Sequence, residues 1–506
     1  MILFCVIRDY FPNLNLHDNL NPLSVNIDII RSAIIFNSRA SRLRLHTHSS
    51  HQSDFEAYIL NEGATKILPP PYKYQIKNDQ EPKFKFINTA LIFKEKLNSL
   101  PENKLGELIN YLFYQVKIIR IDCTSRDFAI KLFQVLNNRG LDLTSADLIK
   151  SFLLEKLYKK YKDDLATSKL KEDSFMSDWR EMEQLIKQCD DISLNDLFII
   201  YAHYLLGSNQ KKSFTEELQS LFENQDPNQV IASLKQFVIN YYEKIYCSKD
   251  KNIYSFQYLR WSNYWKAILM TAITTNYKDF DELVFELRRF YYLYWIAGKT
   301  LSQVKQTSFN VIKALKEKKH INYLKAIFSN KLNSEKIYEL AISQLTSNMV
   351  DKEAWIKPLL ILIEYDLTDQ SNPILLKLNN DLHLEHILPK KYKTIAEWNH
   401  ITEEVKNRWL HSIANLTLLS GKKNIDASNN PFNVKMIVYQ GNHTNNTTAF
   451  RLSQKVLDDF NQKTFDQQWH EDALKDRYNW ILARLEKLLA IDFTLVKQID
   501  TPKMAK

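Results

Sequence analysis

The segment HLEHILPK, residues 383–390, places a carboxylate and an imidazole side by side in an otherwise apolar stretch. The oxygens of Glu385 suit a hard cation, and the imidazole of His386 can accept a proton near neutral pH. The stretch has the character of a strand that Pro389 ends. A Glu–His pair beside Ile–Leu–Pro also arises by chance in many proteins. On its own the segment is therefore compatible both with an active site and with a strand that carries incidental polar residues.

A second strand, a loop and a helix are predicted after this motif. The sequence ANLTLLSG, residues 414–421, alternates in the manner of a strand, and the polar sequence KKNIDASNN, residues 422–430, predicts a loop. Asn430 is suited to cap the next helix, PFNVKMIVYQ, and Pro431 to occupy its first turn. The order strand, strand, loop, helix is the layout of a ββα unit.

These residue types fit the hydrolysis of a phosphodiester bond. That reaction needs a base to activate water and a divalent cation to stabilise charge on the phosphate and on the leaving oxygen. A neutral imidazole can serve as the base, while Glu385 and an asparagine supply the oxygen ligands that Mg²⁺ prefers. Two protein ligands suffice, because water and the phosphate fill the remaining positions. An asparagine near a helix start is nevertheless most often a cap.

The pieces occur in an order that resembles the His-Asn-His (HNH) nuclease superfamily, and more narrowly the C-terminal nuclease domain of GmrSD-type restriction endonucleases. That domain combines an EHI-x-P strand, a Trp-containing helix, a GNLTLL strand, an asparagine, an F-x-x-K helix and a late W…R segment. The resemblance covers about residues 350–490, and its pieces are EHILP (385–389), Trp409, ANLTLL (414–419), Asn424, FNVK (432–435) and WHEDALKDR (469–477).

The resemblance implies a role for each site residue. His386 would be the general base, and Glu385 and Asn424 would hold the metal, Mg²⁺ or Mn²⁺. Asn424 lies nine residues after Asn415, which is the spacing of the superfamily. Asn415 would orient the active-site loop or the histidine. Lys435 would contact phosphate or brace the site.

Two further residues of this region differ from the pattern or leave alternatives open. Ala414 stands where the family has glycine, a change that restricts the backbone but removes no reacting group. His383 shares one side of the predicted strand with Glu385. It is therefore predicted as an additional ligand, as a partner of a ligand, or as a buried histidine with a hydrogen bond of its own.

The N-terminal half resembles the latter part of the same family's N-terminal domain. The segments that carry this resemblance are RLRLHTHSSHQSDFEAYI (42–59) and FQVLNNRGLDLTSADLIKSFLL (133–154). In the family a DGQQR motif, tied to nucleotide use and target sensing, lies upstream of them. This sequence contains neither DGQQR nor a GxxxxGK loop. We therefore do not expect nucleotide hydrolysis, and a separate chain that carries the missing sensor motif is a candidate partner.

Local patterns predict several elements upstream of the nuclease motif. The sequence VKIIRIDC (116–123) alternates like a strand, and residues 128–136 have helical spacing. Gly140 can end that helix, Arg139 in the turn could contact a phosphate or simply be solvated, and Thr144 with Asp147 resembles a capping box for the next helix. In the helical segment 280–298, closely spaced aromatic residues indicate packing and not a base-stacking platform.

The bulk composition predicts a mostly α protein. Only 7 glycines and 13 prolines punctuate 506 residues, which favours long helices. The formal net charge of +9 is compatible with a polyanionic partner and equally with a lysine-rich solvated surface. The 4 cysteines are far apart, which argues against a disulfide framework and fits a reducing cytoplasm. The apolar start, MILFCVI, is too short for a membrane span.

We therefore predict helical N-terminal and middle regions followed by a C-terminal ββα-metal (HNH) nuclease domain. The predicted boundaries are 1–160 for a truncated N-terminal domain with 1–40 unmatched, 161–350 for the middle, 351–490 for the nuclease domain and 491–506 for a tail. The predicted substrate is double-stranded DNA, modified or not, in a restriction or phage-defence system. The alternatives are a non-cleaving remnant or one part of a split enzyme, which would bind DNA or a partner, and a helical scaffold with a coincidental motif.

Overall fold

The computed structural model of the chain describes residues 1–16, 25–37, 42–43, 49–68, 82–117, 144–209, 211–369, 373–441, 446–495 and 502. These residues are mostly helical, which confirms the prediction from composition. No helix within these ranges has the length and apolar character needed to cross a bilayer. The chain divides into two compact units, Met1–Cys123 and Thr124–Lys506.

The first unit is built around its first helix. Cys5, Val6 and Ile7 of that helix are fully buried. The described strands form two antiparallel pairs, Asn15–Leu16 with Val25–Asn26 and Ile35–Asn37 with Arg42–Leu43. The described helices are α1 (Ile2–Tyr10), α2 (Ile27–Ile34), α3 (Ser49–Phe55), α4 (Pro82–Asn98) and α5 (Glu102–Asn110), and the strands are β1 (Asn15–Leu16), β2 (Val25–Asn26), β3 (Ile35–Asn37) and β4 (Arg42–Leu43).

The second unit begins with a long series of helices. Within the helix Phe280–Ile296, the side chains of Phe290, Tyr291, Tyr292 and Tyr294 are fully buried, which confirms that these aromatic residues pack in the core. The series consists of α6 (Ser145–Tyr161), α7 (Leu165–Lys187), α8 (Leu194–Leu206), α9 (Phe214–Phe222), α10 (Pro227–Asn240), α11 (Lys251–Tyr254), α12 (Ser262–Thr274), α13 (Phe280–Ile296), α14 (Leu301–Lys316), α15 (Ile321–Ser334), α16 (Ile337–Leu345) and α17 (Ile356–Leu367).

The start of α6 confirms one local prediction. The hydroxyl of Thr144 accepts a hydrogen bond from the backbone N–H of Asp147, and the Asp147 carboxylate accepts one from the backbone N–H of Thr144. This is the predicted capping box, which satisfies two backbone donors that have no partner inside the helix. The predicted helix 128–136, Arg139 and Gly140 lie outside the described residues, as does most of the predicted strand 116–123.

The C-terminal part of the second unit contains the two predicted strands. Strand β5 (Leu382–His386) pairs antiparallel with β6 (Leu416–Ser420), with Glu385 opposite Thr417 and His386 opposite Leu416. The second strand is shorter than the predicted 414–421, because Ile413–Asn415 form a 3₁₀ turn. The helices of this region are α18 (Glu403–Trp409), α19 (Gly421–Ala427), α20 (Phe432–Gln440), α21 (Arg451–Asn461) and α22 (Glu471–Leu489).

The predicted loop 422–430 is wrong over most of its length, since Gly421–Ala427 form helix α19. The sequence of this helix is polar because the helix buries only a narrow face. Lys423 is buried with its ammonium donating to the carbonyl of Val438, and Ala427 is fully buried. The predicted cap is also wrong, because the Asn430 side chain donates to the carbonyl of Asp426 and α20 begins at Phe432 without a side-chain cap.

Strand β6 is held from two neighbouring helices. Ser453 of α21 donates to the carbonyl of Leu418 at 2.6 Å and contacts the hydroxyl of Thr417 at 2.8 Å. Arg477 of α22 donates to the carbonyl of Leu416 at 3.1 Å. All these groups are buried, so these bonds resist exchange with water. They fix the strand against which β5 sets its register.

Candidate active site

Three of the predicted site residues line a cavity of about 680 Å³ at the end of β5. Glu385 and His386 lie on β5, and Asn424 reaches the same cavity from α19. The structure thus brings together the predicted base and both predicted metal ligands. The cavity is lined by Asp351, Lys357, Leu384, Glu385, His386, Pro389, Lys390, Asn424, Ile425, Ser428 and Asn429.

Glu385 forms an ion pair behind the cavity with Lys435. The Lys435 ammonium is fully buried and lies 2.6 Å from Glu385 Oε1 and 2.7 Å from the carbonyl oxygen of His386. Burial raises the pKa of Glu385 and lowers that of Lys435, while the ion pair opposes both shifts. Because the ammonium is not exposed, it has no access to a phosphate in the cavity. This geometry favours the bracing role over the phosphate-binding role.

Asn424 presents an oxygen without a partner. Its Oδ1 is buried and accepts no hydrogen bond, while its Nδ2 lies 3.5 Å from Nδ1 of His383. A buried acceptor without a hydrogen bond is costly unless a water or an ion satisfies it. The chain leaves α19 at Ser428, whose φ of +39° is a strained conformation for a residue with a side chain. The backbone at the C-terminal end of α19, beside the cavity, is therefore strained at Ser428.

His383 is half-buried and has a hydrogen-bond partner of its own. Its Nε2 lies 2.7 Å from the carbonyl oxygen of Asn380. It does not line the cavity that contains Glu385 and His386. Through its contact with Asn424, His383 is a neighbour of a predicted metal ligand. Whether it is itself a ligand or a partner of a ligand stays a prediction.

Asn415 lies behind the site and is fully buried. Its Oδ1 accepts from the backbone N–H of Leu388 at 2.7 Å and from the indole of Trp469 at 3.1 Å. Its Nδ2 donates to the carbonyls of Leu388 at 3.0 Å and Leu410 at 2.9 Å. The amide thus uses both ends to hold the chain two residues after His386. These contacts are compatible with the predicted loop-orienting role, which stays a prediction.

His386 is largely buried beside a carboxylate from a distant part of the sequence. Its Nε2 lies 3.3 Å from Asp351 Oδ2, within ion-pair distance but outside good hydrogen-bond geometry. Burial, reinforced by the charge of Lys390 and opposed by Asp351, lowers the pKa of His386 to about 4. The imidazole is therefore neutral at neutral pH, which is the form that can accept a proton.

Asp351 is the functional candidate that the sequence did not reveal. It precedes His386 by 35 residues, and no motif surrounds it. Its Oδ2 also lies 2.9 Å from His411 Nδ1 and 2.8 Å from the Lys390 ammonium. Burial acts to raise the pKa of Asp351, but Lys390 and His411 outweigh it and hold that pKa below its ordinary value. Asp351 is therefore a charged carboxylate at neutral pH.

Two sets of side chains near the cavity offer metal ligands. Asp351, His386 and His411 present three ligand atoms within 4.8 Å of one another. Glu385 and Asn424 both line the cavity, and the Oδ1 of Asn424 accepts no hydrogen bond. An oxygen-only pair suits Mg²⁺ or Mn²⁺, whereas two imidazoles with one carboxylate suit a softer transition metal.

Two family models match the chain, and both describe domains of one family. The family model for "GmrSD restriction endonucleases, C-terminal domain" matches residues 305–484, a range that contains every residue of the site. The model for "GmrSD restriction endonuclease, N-terminal domain" matches residues 3–154. The comparisons with curated proteins and with solved structures give no match. Since the two matches run in order along well over half of the sequence, the chain belongs to the GmrSD-type restriction endonuclease family.

Proposed function

We propose that this chain is a metal-dependent endonuclease of the HNH type that hydrolyses phosphodiester bonds in double-stranded DNA. The observation that carries the proposal is the convergence of Glu385, His386 and Asn424 on one cavity. The family supplies the reaction class, because a restriction endonuclease acts on DNA. The antiparallel β5–β6 pair, followed directly by α19 and α20, supports the ββα-metal assignment.

His386 is the general base of this proposal. It lines the cavity and is neutral at neutral pH, so it can take a proton from a water that attacks phosphorus. Asn415 holds the backbone just after it, and Lys435 binds its carbonyl oxygen. The base is therefore positioned by groups that do not themselves touch the substrate.

Glu385 and Asn424 are the proposed ligands of the divalent cation. The residues fit a hard cation, since Asn424 Oδ1 is buried without a hydrogen bond and Glu385 lines the same cavity. When bound, Mg²⁺ or Mn²⁺ would stabilise negative charge on the phosphate and the leaving oxygen. Lys435 limits the freedom of Glu385 by holding its Oε1. It thereby keeps the carboxylate beside the cavity.

We further propose that the chain cuts DNA as part of a restriction or phage-defence system. The test is digestion of plasmid and phage DNA, with and without modified bases, in Mg²⁺, in Mn²⁺ and in EDTA. We expect cutting in at least one metal and none in EDTA. Absence of cutting on every substrate would favour the alternative, a non-cleaving remnant or one part of a split enzyme.

Replacing Asn424 tests its proposed role as a metal ligand. Replacing Asn424 by alanine removes an oxygen donor, so the metal concentration for half-maximal cleavage should rise by roughly tenfold or more. Asn424→Asp keeps an oxygen at that position and should raise it less. The measurement is a Mg²⁺ titration of the cleavage rate.

A matched control is Asn433→Ala. Asn433 is an exposed asparagine of the nearby helix α20 that does not line the cavity. Its replacement should leave the metal titration unchanged. Identical titrations for the Asn424 and Asn433 variants would contradict the ligand assignment.

A further inference from the structure

A buried carboxylate connects three basic side chains beside the site. The Asp351 side chain is only 1% exposed, and its Oδ2 contacts His386, His411 and Lys390 at 3.3, 2.9 and 2.8 Å. The backbone on both sides of this contact is tied together, because Val350 N–H donates to the His411 carbonyl at 2.9 Å. The carboxylate therefore occupies a defined place next to the imidazole of His386.

We propose that Asp351 is a positioning residue that fixes the ring orientation and the tautomer of His386. The inference rests on the proposed function of His386 as the base. A carboxylate only accepts hydrogen bonds, so it favours the tautomer with the proton on the facing nitrogen, Nε2. Nδ1 is then the nitrogen that can accept a proton from water. Such contacts are often misaligned without substrate and tighten when it binds, which accounts for the poor angle at 3.3 Å.

His411 and Lys390 hold the Asp351 carboxylate in place. His411 packs edge-on against His386, with ring centroids 5.8 Å apart, and its Nδ1 contacts the same oxygen. Lys390 compensates the charge of Asp351, which a buried carboxylate requires. With both neighbours on Oδ2, the carboxylate has little freedom to turn away from His386.

The competing assignment is a metal ion held by Asp351, His386 and His411. Their ligand atoms are close enough, but the Lys390 ammonium already contacts Asp351 Oδ2, the oxygen that both imidazoles contact. Two cations on one buried oxygen would repel each other. An ion on His386 Nε2 would also bind the nitrogen on which the base tautomer carries its proton. The contacts therefore favour positioning over metal binding.

The first test is kinetic. Asp351→Asn keeps the shape but can turn an amide N–H toward Nε2, which favours the opposite tautomer. We expect the single-turnover cleavage rate to fall by roughly 100-fold, with the dissociation constant for DNA unchanged. Asp351→Glu should recover part of the rate. The control is Asp366→Asn, which breaks the surface ion pair with Arg484 and should leave the rate unchanged.

The second test does not depend on cleavage. The ring nitrogens of His386 are observed by NMR of the ¹⁵N-histidine-labelled full chain and identified by their loss in His386→Gln. We expect a proton on Nε2 in the wild type and a shift toward Nδ1 in Asp351→Asn, with unchanged thermal unfolding. If the wild type cuts no DNA, the proposed function fails, while these spectra still decide the role of Asp351.

Three results would overturn the positioning role. The first is a wild-type His386 ring protonated on Nδ1, and the second is a cleavage rate for Asp351→Asn equal to that of the wild type. The third is binding of one Zn²⁺ that shifts the signals of both His386 and His411 and is lost in His411→Ala, because it would establish the metal site instead.

Discussion

Replacing His386 by alanine should abolish DNA cleavage while the chain stays folded. General base catalysis contributes about 10²–10⁴-fold to such reactions. Among the described residues that line the cavity, His386 is the only imidazole, and the neighbouring His411 ring does not line it. The fold should tolerate the change, because Asp351 keeps its contacts with Lys390 and His411.

The measurement is the rate of plasmid cleavage in Mg²⁺, together with circular dichroism and thermal unfolding of the same preparation. His400→Ala is a suitable control, since His400 is an exposed histidine of the same region that contacts the carbonyls of Glu397 and Trp469. Its cleavage rate should equal that of the wild type. Undiminished cutting by a folded His386→Ala protein would refute the assignment of the base.

The site residues on the strand could be predicted from the sequence, because strands and short motifs are formed by residues that are close together in the sequence. Glu385 and His386 were predicted on a strand, and the structure places them on β5 in register with β6. Asn424 was also identified, through its spacing from Asn415 and the family resemblance. The helix that carries it was missed, because α19 buries little besides Lys423 and Ala427 and so shows no apolar periodicity.

Asp351 could not be predicted from the sequence for a different physical reason. It joins the site through tertiary packing, since the loop before α17 pairs with the backbone at His411. A single aspartate without a surrounding motif gives no sequence signal for a contact with residues that are distant in the sequence. Lys435 was identified, but its complete burial, which favours bracing over phosphate binding, is a property of the folded chain alone.

The mostly helical fold was predictable for the same local reasons, and the capping box at Thr144 shows how a helix start can be read from two residues. Strands β1 and β2 of the first unit were not predicted. Strands of two or three residues, such as β1 and β2, are too brief to show an alternation of apolar and polar side chains. Their pairing depends on contacts that only the folded chain provides.

Among the proposed variants, removal of the Lys435 ammonium should lower the free energy of unfolding the most. Lys435→Met keeps most of the apolar stem but leaves the Glu385 carboxylate buried without its partner. Breaking a buried ion pair in this way costs about 3–5 kcal/mol. The His386 carbonyl also loses its donor at 2.7 Å. The unfolding midpoint in urea should therefore fall markedly, and cleavage should be lost along with it.

A double variant separates the ion pair from the packing. In Glu385→Gln with Lys435→Met no charge is left uncompensated, so most of the lost stability should return. Cleavage should not return, because the proposed metal ligand Glu385 is gone. A variant that regained both would show that Glu385 has no role in the reaction.

The matched control is Lys455→Met, which removes the ammonium of the ion pair between Lys455 and Asp459, four residues apart on helix α21. Such partly exposed pairs contribute about 0.3–0.5 kcal/mol. Its unfolding midpoint should stay close to that of the wild type. If Lys435→Met unfolded at the same urea concentration as Lys455→Met, Glu385 would not need its partner, and the bracing role of Lys435 would have to be abandoned.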